Sequence, residues 1–193
     1  MKDTREEMIK SMAYLLQRNG YAGTSINDII QHSKSPRGSL YYHFPKGKEQ
    51  LAIEAIKQTK RNVTTFIKEN LSKYDDASES IKYFILDSAR RFEENNYFQG
   101  VPITALVLET ASTSDALREA CLEVFEAWNK EFTNKLLLNG YSESDAKILG
   151  ETINLMIQGG LVMSLARKNA DALKAVSTNA SLLIKADFYH KNM

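Results

Sequence analysis

The side chains best suited to chemistry stand close together in this chain: Arg37, Ser39, Tyr41, Tyr42 and His43, with Lys34 before them and Lys46 and Lys48 after. Arginine can donate paired hydrogen bonds to guanine N7 and O6, and serine can reach a base edge or a phosphate. Tyrosine can lie against a thymine methyl while its hydroxyl bonds a phosphate. Gly38 removes a side chain where a helix could approach a groove closely. Lys46 and Lys48 flank what reads as the first turn of a helix, where unpaired N–H groups and the helix dipole already favour phosphate. With Ser25, these are the candidate DNA-contacting residues. The same side chains also suit a plainer description, with half-buried tyrosines and an ordinary solvated cationic face. An outward aromatic among hydrogen-bond donors favours the DNA-reading one.

Such a surface needs short helices to hold it. Leu40 and Phe44 lie four apart, on one helical face, and can pack inward with Ile29 and Ile30, leaving Arg37, Ser39, Tyr42 and His43 outward. Upstream, Thr4 with Glu7 reads as a capping box opening a helix with Met8, Ile9, Met12, Leu15 and Leu16 on one stripe, stopped at Gly20. Ser25 with Asp28 opens a second, ending near His32. Ser35-Pro36 opens a third, with serine as cap and proline at the first helical position. Phe44-Pro45-Lys46-Gly47 breaks it. Two short helices joined by about three residues form a helix-turn-helix. A long helix should follow over 48–71, then others at about 78–95, 102–111, 115–139, 143–168 and 171–189. With three prolines, nine glycines and no period-two pattern, the fold is expected to be all-α, with about nine helices.

Composition narrows the function classes. Residues 1–60 carry 10 basic and 6 acidic side chains and residues 61–193 carry 15 and 18, so the N-terminal third is the basic part. The single Cys121 rules out an intramolecular disulfide and fits a reducing compartment. No signal peptide and no apolar run near the roughly 20 residues of a membrane span is visible, so a cytoplasmic protein without membrane contact is expected. His32, His43 and His190 are scattered, and neither Cys121 nor the adjacent pairs Asp75-Asp76 and Glu93-Glu94 has metal-ligand or nucleophile–base spacing. No enzyme activity, metal or cofactor is expected.

The stretch from Thr24-Ser25-Ile26-Asn27-Asp28-Ile29-Ile30 through Arg37-Gly38-Ser39-Leu40-Tyr41-Tyr42-His43-Phe44-Pro45-Lys46-Gly47-Lys48-Glu49-Gln50-Leu51 resembles the N-terminal signature of the TetR/AcrR family. That family usually has glycine where Lys34 stands and serine or threonine at Pro36. Pro36 followed by Arg37-Gly38-Ser39-Leu40-Tyr41, together with Gly100-Val101-Pro102-Ile103 and Leu108-Glu109, is similar to a branch of Gram-positive regulators that respond to flavonoids or to antibiotics such as lincomycin.

The resemblance implies an N-terminal helix-turn-helix DNA-binding domain over 1–48 and a helical ligand-binding and dimerisation domain over 49–193. It also implies double-stranded operator DNA and a small-molecule effector as partners, with homodimer pairing through the last two helices. Phe66, Phe84, Phe92, Phe98, Phe125, Trp128, Phe132, Met156 and Met163 are candidates to surround a planar aromatic effector, although the same spacing suits a packed core. Asn129 and Gln158, with Tyr97 and Asn154, are candidate orienting groups. The expected function is a repressor released from DNA by its ligand. A DNA-binding activator or a ligand-independent regulator is the alternative, and a small-molecule-modifying enzyme a more distant one.

Overall fold

The computed structural model describes residues 3–95, 100 and 102–191, with side-chain surroundings through 186. Nine helices are present among the described residues and no strand. They are α1 (Thr4–Asn19), α2 (Ile26–Ser33), α3 (Arg37–His43), α4 (Lys48–Leu71) and α5 (Ala77–Asn95). The chain continues with α6 (Ile103–Thr110), α7 (Asp115–Leu138), α8 (Glu143–Arg167) and α9 (Asp171–Lys191). The chain divides into two compact units, Met1–Asn62 with Gln99–Val124 and Val63–Phe98 with Phe125–Met193. Both α4 and α7 contribute residues to each unit.

In the first unit, the apolar stripe of α1 is buried as its spacing requires, with Met8, Ile9, Met12, Leu15 and Leu16 all inside. Its start differs from expectation. Asp3, not Thr4, is the N-cap, its carboxylate accepting the Arg5 N–H. A carboxylate beside the positive end of the helix dipole is the stronger cap. Arg5 then donates to Glu54 at 2.5 Å and lies 5.4 Å from the centre of the Phe44 ring, fastening α1 to α4. Glu54 is held below the ordinary carboxylate range; burial would raise it, but the hydrogen bonds from Arg5 and Lys57 outweigh that.

In the second unit, α9 packs on α5 and α8. The Ser78 and Ser181 hydroxyls meet at 2.6 Å, and the Tyr141 hydroxyl donates to the Ile184 carbonyl at 2.6 Å. Gly160 permits the approach of α9, since a Cβ there would lie 3.0 Å from Val176 and 3.1 Å from Leu173.

Helix α8 carries more apolar surface than one packed face needs. By length and composition alone it is apolar enough to cross a membrane, with mean hydropathy 1.3 over 18 residues, a property that core helices of soluble proteins share. The cause is that α8 is apolar on two faces. Leu149, Ile153 and Ile157 are buried, while Ile148, Leu155 and Val162 recur every seven residues on an outward stripe at 62%, 66% and 47% exposure.

Candidate nucleic-acid interface

The second helix begins as its sequence requires. Ser25 is the N-cap of α2, its hydroxyl accepting the Asp28 N–H at 3.2 Å while Asp28 accepts the Ser25 N–H at 2.8 Å. The Ser25 hydroxyl also donates to the Asp28 carboxylate at 2.6 Å, and this bond, with the one from the Ser25 N–H, holds the Asp28 carboxyl below its ordinary range. Three residues, Lys34, Ser35 and Pro36, separate α2 from α3. Lys34 takes the left-handed conformation at φ 54°, and the Ser35 N–H returns to the Ile30 carbonyl at 3.2 Å. The third helix starts one residue later than its sequence suggests. Pro36 occupies the cap position without a side-chain hydrogen bond, and the Ser35 hydroxyl turns back to the Ser33 carbonyl at 3.3 Å. The left-handed residue redirects the chain, so Ser35 faces the helix it leaves rather than the one it precedes.

One face of α3 and the residue after it is fully buried through Leu40 and Phe44. The opposite face is open: Tyr42 is 81% exposed, Tyr41 45%, and Arg37, Gly38 and Lys46 are exposed. Ser39 and His43 are half-buried, and His43 lies edge-on to Tyr42 with ring centres 5.0 Å apart. A Cβ on Gly38 would meet nothing within 4 Å. The protein's own packing therefore gives no reason for glycine at that position.

Lys48 is differently placed from Lys46. Its ammonium donates to the Tyr21 and Thr24 carbonyls at 2.8 and 2.9 Å and lies 4.0 Å over the Tyr21 ring. Burial lowers its pKa, opposed by the Glu109 carboxylate. Burial raises that of Tyr21, reinforced by Glu49 and Glu109. Lys48 is thus committed to the turn between α1 and α2. Sequence reasoning gave no role to Glu109, which accepts the Tyr21 and Ala22 N–H groups, the former from a residue 88 positions away. No local spacing signals a contact at that separation.

Among the candidate effector residues, Phe66, Phe84 and Phe132 are brought together with ring centres 5.6 and 5.7 Å apart. Phe125 stands edge-on to Trp128 at 6.0 Å, and Phe92 is buried. Asn154 donates to Asn129 at 2.6 Å and accepts from Gln158 at 3.1 Å, so these amides form a chain. Met156 is half-buried, whereas Met163 is 43% exposed. Tyr97 and Phe98 lie outside the described residues. Among the described residues no three His, Cys, Asp or Glu side chains gather to hold a metal.

Residues 11–55 match the model of bacterial regulatory proteins of the tetR family, and residues 77–179 match the C-terminal domain of LmrA/YxaF-like transcriptional regulators. The chain belongs to the TetR family. It is 38% identical to the HTH-type transcriptional regulator YxaF of Bacillus subtilis, over 95% of this chain and 96% of that one. It is 39% identical to LmrA of the same organism, over 95% and 97%. A TetR transcriptional regulator from Legionella pneumophila shares the fold with a TM-score of 0.81, at 20% identity over 95% of this chain and 98% of that one. This TetR-family regulator is therefore a DNA-binding, helix-turn-helix transcription factor, and its relatives are regulators rather than enzymes.

Left-handed backbone costs a residue bearing a Cβ about 1–2 kcal/mol, and glycine's greater freedom in the unfolded chain offsets roughly half of this. Lys34→Gly should therefore raise stability by about 0.5–1 kcal/mol. Thermal unfolding in the absence of DNA should show an increase of about 1–4 °C; a decrease would mean that the Lys34 side chain holds the turn.

Proposed function

We propose that this chain is a ligand-responsive repressor that binds operator DNA as a homodimer and leaves it when a small, planar aromatic effector binds. The observation that carries the DNA half is Tyr42, 81% exposed on a helix whose other face is fully buried. Burying a large aromatic is worth about 1.5–3 kcal/mol, and this one is left for something outside the chain. Arg37 reads a base edge in this proposal, Tyr41, Tyr42 and Ser39 contact thymine methyls and phosphates, and Lys34, Lys46, His43 and the α2 start at Ser25 face the backbone. Gly38 lets α3 approach the groove. The functional division expected from the sequence, DNA binding over 1–48 and sensing and dimerisation over 49–193, is kept as part of this proposal. Such a protein works beside the chromosome, in the cytoplasm.

The pairing surface is proposed on α8 and α9. Ile148, Leu155 and Val162 form one stripe, Gly159 within it would bring a Cβ near no other atom, and Leu182 on α9 is 60% exposed. Contiguous exposed apolar surface of this kind marks an interface, and two-fold pairing uses the same patch twice. Two α3 helices about 34–36 Å apart would then enter successive major grooves. An effector shifts the equilibrium to another separation by its affinity difference between the two conformations.

Support for the effector half lies in two buried polar groups. The Trp128 indole N–H and the Thr64 hydroxyl have no hydrogen-bond partner among the described residues. Both groups belong to the second unit, Thr64 on α4 and Trp128 on α7. An unpaired buried donor costs about 1–3 kcal/mol, which an aromatic ligand carrying an acceptor oxygen would relieve.

The test begins by selecting fragments of the source genome bound by the wild-type protein. Arg37→Ala should weaken the selected operator by roughly 1–3 kcal/mol and relax preference at one base pair. Gly38→Ala should weaken it while leaving thermal stability unchanged or higher, alanine being the better helix former by about 1 kcal/mol. Unaltered operator binding in both variants would sink the assignment of α3 as the reading helix. Quercetin, a planar aromatic probe with acceptor oxygens, should quench the emission of the single tryptophan and release the operator, and release from Trp128→Phe should need roughly tenfold more quercetin. Quenching without release would contradict induction. Leu155→Glu should convert a species of twice the 21.8 kDa chain mass into a monomer in sedimentation equilibrium; an unchanged mass would move the pairing surface elsewhere.

A further inference from the structure

The stretch from Gly100 through Pro102 to Glu109 is tied at both ends to the helices that carry the DNA-reading surface. At its start, Gly100 has φ 95°, and a Cβ there would lie 3.1 Å from the Thr59 side chain of α4. Pro102 then stands at the cap position of α6. At its end, the two oxygens of Glu109 accept separate backbone hydrogen bonds from the turn between α1 and α2: Oε2 from the Tyr21 N–H at 2.7 Å and Oε1 from the Ala22 N–H at 2.6 Å. The fit is close. A Cβ on Gly20 would come within 3.0 Å of Oε2, and Gly20 itself has φ 70°. The same turn is gripped on its carbonyl side by Lys48 at Tyr21 and Thr24. Just beyond α6, the Ser114 hydroxyl donates to Glu49 at 2.6 Å, so the corner leading into α7 is held to the first turn of α4.

We propose that Glu109 is a positioning residue for operator binding, the carboxylate through which α6 sets the placement of the helix-turn-helix. The proposal rests on the reading of α3 as the DNA-contacting helix. The turn it holds is continuous with Ser25, the cap of α2, and α2 leads through only three residues into α3. Charge-assisted bonds to two successive N–H groups fix both the position and the direction of that turn, which a single neutral bond would not. A displacement of α6 either carries the turn with it or breaks both bonds. In each case Arg37 and Tyr42 lose their register on DNA, while the buried core beneath them stays intact. Glu109 touches no DNA in this scheme; its effect passes through the backbone of residues 20–25.

The full-length protein tests this with Glu109→Ala, Glu109→Gln and Glu109→Asp. In Glu109→Ala the amides of Tyr21 and Ala22 should exchange with deuterium at least about tenfold faster, since both acceptors are gone. The selected operator should bind roughly five- to tenfold more weakly, while binding to a random-sequence duplex and the unfolding temperature stay unchanged. Glu109→Gln, which keeps one acceptor oxygen, should recover part of the loss. Glu109→Asp, one methylene short, should recover none. If Glu109→Ala does not fold, the Gln and Asp variants give the same readouts. Operator affinity within twofold of wild type despite faster exchange would overturn the proposal, as would equal losses on operator and random DNA. Wild-type protein that bound no DNA would instead remove the reading of α3, and is told apart because no variant is needed to see it.

Discussion

A seven-residue helix has no stability of its own in water, and α3 exists because Leu40 and Phe44 are drawn completely into the core of the first unit. Everything proposed for its outer face follows from that constraint. With two side chains fixed inward four residues apart, the rotation of the helix is set, and Tyr42 has nowhere to go but outward. Arg5 over the Phe44 ring and bonded to Glu54 closes the same core from α1 and α4. The proposed reading surface is therefore as rigid as the packing beneath it, which a small domain needs if it is to choose among base sequences rather than adhere to phosphate.

The turn between α1 and α2 shows how one unit is assembled from distant pieces of chain. Its N–H groups are held by a carboxylate from α6 and its carbonyls by the ammonium of Lys48. Opposite charges thus satisfy the opposite ends of the peptide dipoles, in a segment that no regular helix could satisfy. Glu109 lies in the segment 99–124, which groups with the first 62 residues rather than with the remainder of the chain. All of these contacts lie within the first unit, where they join pieces of chain far apart in sequence.

Helix α8 resolves two opposing demands on its sequence. One face meets α9 closely enough to require Gly160, and the opposite face repeats Ile148, Leu155 and Val162 at seven-residue spacing. A helix apolar on both sides reads by composition as a membrane span or a buried core helix. The pairing surface proposed on α8 and α9 would account for the outer stripe without either.

The sequence by itself determined the local architecture: helix periodicity, the Ser25–Asp28 capping box, the break at Pro45 and Gly47, the inward pair Leu40 and Phe44, and the family signature. These are legible because their causes act within four or five residues, the reach of one helical turn. Only the tertiary structure decided where Lys48 points, that Ser35 turns back rather than forward, and that Met163 is left exposed. It also decided that Glu109 meets a turn 88 positions away. Those outcomes depend on which long side chain reaches which unsatisfied backbone group once the helices have packed. Such choices carry no periodicity, and a linear sequence records nothing of them until the chain has folded.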